Sequence, residues 1–149
     1  MPRDMTVTFH RRGRTCSWTA LRPPRSVVPG PAMAAGADLP HDLYTFEIED
    51  ALDLEFGFWG CVAAGATFTT LGRKPTPQGR AVIERHVHDL EAAETAVNEV
   101  YFVWREGRPT GLDDELGSML ERWRAVPDGG DLELVWSSER PGHGRRRRN

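Results

Sequence analysis

The chain has 149 residues, which is too short for two full domains. Its residues are 39% hydrophobic and 28% charged, which are the values of a globular protein and exclude a disordered one. Its net charge of −3 combines +5 on residues 1–25 and +4 on residues 139–149 with −12 on the middle, by subtraction. We therefore expect one acidic domain at 1–138 and a disordered arginine-rich tail at 139–149. An acidic folded domain disfavours binding to duplex nucleic acid. No membrane partner is expected, since no run approaches the roughly 20 apolar residues of a membrane span.

Two N-terminal runs, 5–10 and 15–20, alternate apolar and polar residues on either side of Arg12 and Gly13. Such alternation predicts a β-hairpin with one apolar face. Residues 22–40 contain five prolines and two glycines and are predicted to form a long ordered loop or lid. Because long loops without secondary structure are uncommon in compact domains and often functional, this loop is the first place to look for a binding site.

Helix A is predicted over residues 39–53, with Asp38 as its N-terminal cap and an early proline that the first turn tolerates. Its buried stripe is expected to consist of Leu43, Phe46 or Tyr44, Ile48, Ala51 and Leu52. In the next segment, residues 57–68, glycines and small residues mix with large apolar ones. Periodicity leaves a buried helix and a strand equally open there, and the close spacing of the glycines implies tight backbone packing.

Helix B, the longest predicted element, begins with Thr76 as cap and Pro77 in the first turn and runs to Gly107. Its acidic and arginine residues are interspersed, as expected of a solvated face. His86 and His88 point about 200° apart on a helix, so they form no chelating pair. We expect His88 on the solvated face.

Helix C is predicted to begin at Thr110 and Asp113, which resemble a capping box, and to end before Pro127. Residues 132–136 alternate again and predict a final strand, which needs the hairpin as its partner. The order of elements favours an α+β domain, in which a small antiparallel sheet, made of the N-terminal hairpin and the C-terminal strand, is packed by three helices.

A local motif stands at the start of helix A. Residues 39–43 read LPHDL, Glu49 follows, and residues 57–60 read GFWG. This arrangement resembles a family of small actinobacterial proteins with the pattern LPHDLxHFxxE and a GFWG-like segment. The resemblance covers residues 39–60 and implies a family grouping that carries no activity with it. Thr45 stands where the family pattern has a second histidine.

The motif supplies the candidate catalytic residues. His41 is the candidate general acid/base, oriented by Asp42 or Glu49, because a histidine beside a carboxylate is suited to proton transfer. The alternative is structural, with His41 and Asp42 satisfying free amide groups in the first helical turn. The candidate binding residues are two cations for an anionic group and one aromatic side chain for an apolar pocket, namely Arg22, Arg25 and Trp59.

No metal or other cofactor is predicted. Thr45 breaks the helical histidine pair, and His41 lies two turns from Glu49, about 12 Å along the axis at roughly 1.5 Å per residue. Cys16 and Cys61 are spaced neither for a disulfide framework nor for a zinc site. We expect both to be reduced core residues of a cytoplasmic protein.

Three functions follow from these features. The leading prediction is a site for a small molecule or a protein partner between the 22–40 loop and helix A. One alternative is a cofactor-independent enzyme that acts on a small molecule through His41. Another is an acidic interaction module that binds a basic partner through helices B and C. The surroundings of His41 separate them, because an enzyme needs it at the wall of a concave pocket and an interaction module needs a flat apolar patch.

Overall fold

A computed structural model describes residues 4–35, 38–68 and 74–138. Over these ranges the strands are β1 (Met5–Arg12), β2 (Thr15–Arg22), β3 (Ser26–Pro29), β4 (Met33–Ala34) and β5 (Asp131–Trp136). The helices are α1 (His41–Ala51), α2 (Phe58–Ala64), α3 (Pro77–Arg85), α4 (Val87–Arg105) and α5 (Asp113–Arg124). The fold is α+β, as the sequence predicts, and the tail predicted at 139–149 lies outside the described residues.

The sheet is antiparallel, in the order β3-β2-β1-β5, with β4 also paired to β2. Phe9 in β1 lies opposite Trp18 in β2 and Leu132 in β5. The buried residues of β1, β2 and β5 are apolar and alternate with more exposed ones, so one face of the sheet forms a wall of the core. The predicted hairpin and its pairing with the C-terminal strand are confirmed.

The proline-rich segment after β2 is more regular than the sequence indicates. Residues 26–29 and 33–34 form strands that pair with β2, and Val28 points into the core. Pro29 is compatible with this arrangement because it closes a short edge strand, where a missing N–H donor costs little. The prediction of a loop without secondary structure at 22–40 is therefore wrong over these two stretches.

Helix α1 begins at His41, after an N-cap at Pro40 that makes no side-chain cap bond. The predicted cap at Asp38 is therefore wrong, because that residue is two positions before the N-cap. Leu52 stands at the C-cap and is 38% exposed, so it is not part of the buried stripe. The remaining buried face contains apolar residues and two polar ones, namely Leu43, Thr45, Phe46, Ile48 and Glu49.

The glycine-rich segment is helical. α2 begins after an N-cap at Gly57, and both Gly57 and Gly60 are buried. A Cβ on Gly57 would overlap the carboxylate of Glu49, and one on Gly60 would overlap the backbone carbonyl oxygen of Glu55. The tight packing inferred from the glycine spacing is therefore present, and only glycine fits at these two positions.

The predicted helix B is two helices, α3 and α4, which meet at His86. The hydroxyl of Thr76 caps α3 by accepting from the backbone N–H of Gly79 at 2.9 Å, as expected. At His86 the backbone leaves the helical region (φ −115°, ψ 24°), and its ring stacks on Phe56 with centroids 3.7 Å apart. This contact accompanies the break, so the prediction of one continuous helix is wrong. With α2 as well, the described chain has five helices instead of three.

Aromatic side chains join the sheet to the helices. Phe9 packs edge-on against Phe46 of α1 and Trp59 of α2, with centroids 6.3 and 5.8 Å apart. α1 also contacts α4 and α5, which places it at the centre of the helical layer. Burial raises the pKa of the Cys16 and Cys61 thiols to about 12, so both stay protonated at neutral pH. Among the described helices, none combines the length and apolar character that a membrane crossing needs.

Candidate functional site

A cavity of about 510 Å³ lies between α1 and α4. One face of α1 forms its first wall, because residues four apart on a helix lie above one another. The side chains from α1 are His41, Asp42, Thr45 and Glu49. The structure thus brings the three candidate catalytic residues to one cavity, although His41 and Glu49 are two helical turns apart.

Asp42 is held in place from four directions. Its Oδ2 accepts from the indole Nε1–H of Trp18 at 2.7 Å, and its Oδ1 is 2.9 Å from Nδ1 of His41. Its backbone carbonyl accepts from Nε1–H of Trp59 at 3.1 Å, and its backbone N–H contacts the sulfur of Met33 at 3.4 Å. These bonds fix the carboxylate and, through it, the orientation of the His41 ring.

His41 is the more exposed member of this pair, with a side chain that is 63% exposed against 15% for Asp42. The hydrogen bond to Asp42 raises the pKa of His41 above its ordinary value of 6.5, and burial partly opposes this increase. The charges of Asp42, Glu94 and Glu49 add to the increase. A bond through Nδ1 leaves Nε2 for a ligand. The arrangement is that of an imidazole oriented by a carboxylate, which can accept or donate one proton near neutral pH.

Glu49 makes structural contacts that the sequence does not predict. It is only 1% exposed, and its two carboxylate oxygens accept from the backbone N–H groups of Phe58 and Trp59 at 2.9 and 3.0 Å. These are donors of the first turn of α2, which have no partner within the helix. Glu49 therefore fixes α2 to α1, whereas Asp42 is the residue that orients His41. A catalytic role for Glu49 stays a prediction.

The second wall of the cavity comes from α4, which the sequence analysis does not assign to the site. It combines aliphatic and polar side chains at spacings of three and four residues, namely Val87, Leu90, Glu91, Glu94, Val97 and Asn98. Phe58, Phe68 and Pro31 complete the lining, and the two phenyl rings lie 5.1 Å apart. In the sequence, this wall is indicated only by the apolar stripe that runs among the acidic residues of helix B.

The three predicted binding residues are not brought to this cavity. Arg22 donates to the backbone carbonyl of Val62 at 2.9 Å, and Arg25 is exposed in the turn before β3. Trp59 is fully buried in the core, where its ring packs edge-on against Phe58 with centroids 5.0 Å apart. Trp59 therefore supports a residue of the lining and does not itself belong to it.

His86 and His88 lie outside the lining of the cavity. His88 has a side chain that is 95% exposed and faces Glu91 at 4.0 Å, as predicted for the solvated face of the helix. His86 is held between Phe56 and Asp89. In the part of the chain that the structure describes, no group of three or more His, Cys, Asp or Glu side chains has the geometry to hold a metal ion.

Comparison with known proteins adds no family or function. A scan against protein-family models, a search of curated proteins and a search of solved structures each returned no match.

Proposed function

We propose that the chain binds a small organic molecule in the cavity between α1 and α4. The observation that carries the proposal is the cavity itself, which has aromatic and aliphatic walls and a few convergent polar groups. Its volume of about 510 Å³ is within the range of roughly 300–1,000 Å³ that is typical of ligand sites. The proposed site shares helix α1 with the site that the sequence predicts, but its second wall is α4, and among the described residues of the 22–40 loop the lining includes only Pro31.

The surroundings of His41 support a small molecule over a protein partner. His41 lines the wall of a concave cavity, which is the arrangement expected of a ligand site or an enzyme. Of the two acidic helices proposed for an interaction module, α4 turns part of its acidic surface into this cavity.

Acid/base catalysis through His41 is the second candidate function. A series of hydrogen bonds supports it, from Trp18 to Asp42 and from His41 to Asp42. The first bond fixes the carboxylate, and the second orients the imidazole and leaves its Nε2 for a substrate. Such a reaction needs no cofactor. Replacing His41 by alanine then abolishes turnover while leaving binding of an apolar ligand in place.

The proposal also covers the motif at residues 39–60 and the location of the protein in the cell. Four motif residues from the stretch that resembles the small actinobacterial proteins line this cavity, namely His41, Asp42, Glu49 and Phe58. This convergence supports treating the motif as one functional unit. The two free, buried cysteines fit a reducing compartment, so the proposal keeps the cytoplasm as the location.

The test fills the cavity from within. Leu90→Trp places an indole inside the α4 wall, and Ala92→Trp adds the same side chain at an exposed position of the same helix. We expect indole, observed by ligand-detected NMR, to bind the wild type and Ala92→Trp and to lose binding to Leu90→Trp. Equal binding to all three proteins, or to none, would contradict the proposal. Thermal melts confirm that each variant is folded.

A further inference from the structure

The geometry points to an organic cation as the ligand, specifically an amine whose apolar body enters the cavity and which carries no carboxylate. This inference rests on the proposed function and adds the chemical class of the ligand. It follows from the sign of the charges around the cavity, from the position of its apolar wall, and from the spacing between the two.

The described lining of the cavity contains four carboxyl side chains, from Asp42, Glu49, Glu91 and Glu94, and no Lys or Arg. Two carboxylates have structural partners, since Asp42 is held by Trp18 and His41, and Glu49 by backbone N–H groups. The other two, Glu91 and Glu94, are exposed on α4 at the edge of the cavity. The resulting field attracts a cation and repels an anion.

Glu94 is the residue placed to meet the charge of the ligand. Within residues 4–35, 38–68 and 74–138 it forms no ion pair, whereas Glu91 already faces His88 at 4.0 Å. Glu94 lines the same cavity as His41, and its charge makes a small contribution to the raised pKa of His41, which the hydrogen bond to Asp42 dominates. A cation beside Glu94 gains a carboxylate that forms no ion pair within the described residues.

The apolar wall lies one helical step from this carboxylate. Leu90 and Val97 are four and three residues from Glu94 on the same face of α4, about 5–6 Å between Cβ atoms. Phe58 and Phe68 face the same space. This spacing matches an ammonium group joined to a ring or hydrocarbon chain by two or three bonds.

The absence of a cation in the described lining also separates an amine from an amino acid. A carboxylate beside the ammonium group would lie among Asp42, Glu91 and Glu94, with only His41 to oppose it. Like charges in a partly closed site act against such a ligand.

Three probes with one ring system test this inference on the full chain: tryptamine, indole and indole-3-acetate. Tryptamine is a cation at pH 7 by analogy with a lysine amine, indole is neutral, and indole-3-acetate is an anion. In calorimetric or NMR titrations at low salt we expect tryptamine to bind about five-fold or more tightly than indole, and indole-3-acetate to bind most weakly. Added salt should weaken the binding of tryptamine and leave the affinity for indole unchanged, because it screens only the charged interaction.

A matched pair of variants locates the effect. Glu94→Gln is expected to weaken tryptamine binding by about five-fold and to leave indole binding unchanged, whereas Glu99→Gln, at an exposed position of α4 outside the lining, changes neither. If indole binds as tightly as tryptamine, or Glu94→Gln weakens both equally, the inference is overturned and the proposed function stands. If none of the three probes binds, the proposed function fails and the inference fails with it.

Discussion

The buried carboxylate of Glu49 joins the two helices that carry most of the site, and its replacement is the sharpest test of how the site is built. Its oxygens accept from the backbone N–H groups of Phe58 and Trp59 at 2.9 and 3.0 Å. Glu49→Ala removes both acceptors at once. It therefore releases the first turn of α2, including the phenyl ring of Phe58 that lines the cavity.

The magnitude follows from the two bonds. A hydrogen bond to a charged group contributes about 1.5–3 kcal/mol, so two would give about 3–6 kcal/mol. The N–H of Phe58 is partly exposed and gains water when the carboxylate is lost, whereas that of Trp59 is buried and gains none. We therefore expect Glu49→Ala to lower the free energy of unfolding by about 3–4 kcal/mol. Glu49→Gln keeps one acceptor oxygen and turns an amide donor toward the other N–H, which costs about 1.5–3 kcal/mol.

Urea denaturation followed by tryptophan fluorescence and circular dichroism measures these differences. Glu99→Gln is the matched control, because it removes an exposed carboxylate and should stay within about 0.5 kcal/mol of the wild type. Indole binding by the Glu49→Gln variant should also weaken, since Phe58 loses part of its support. A loss below about 1 kcal/mol for Glu49→Ala would refute the assignment of this carboxylate as the link between α1 and α2.

Three further predictions use other parts of the fold. Deleting residues 131–149 removes β5 and exposes the apolar face of β1, so the sharp thermal transition should be lost, and an unchanged melt would contradict the architecture. The raised pKa of His41 adds stability that is complete below its ordinary value of 6.5 and is lost as pH rises through the folded value. Urea melts between about pH 5.5 and about pH 8.5 should show this decline in the wild type and in His88→Ala but not in His41→Ala. Elemental analysis of untagged protein should find no stoichiometric transition metal, and a stoichiometric metal would require a ligand set beyond the residues described.

The elements that the sequence predicts well are those whose signal is local. Alternation at 5–10 and 15–20 indicates the hairpin directly, and the alternation at 132–136 indicates β5, because one buried face requires a period of two. Thr76 and Pro77 likewise mark the start of α3 through chemistry that acts within one turn. Each of these predictions depends on neighbours in sequence and needs no knowledge of the remaining chain.

The features that the sequence does not predict depend on contacts between residues that are far apart in the chain. The break at His86 is accompanied by stacking on Phe56, thirty positions earlier, and β3 and β4 become strands only because β2 offers an edge. The same reason explains the site. His41 and Asp42 are found by their motif, whereas Glu94 becomes part of a cavity only when α4 packs against α1. On sequence alone its carboxylate is indistinguishable from those of a solvated helix face.

The central claim is that the space between α1 and α4 receives a small molecule. Chemical-shift mapping of the ¹⁵N-labelled full chain during a tryptamine titration tests it most directly, because every backbone amide reports separately. We expect saturable shifts centred on His41, Phe58, Glu94 and Asn98, with the exposed face of β5 unaffected. Shifts centred on the sheet around Val135, or no saturable shifts at all, would contradict it.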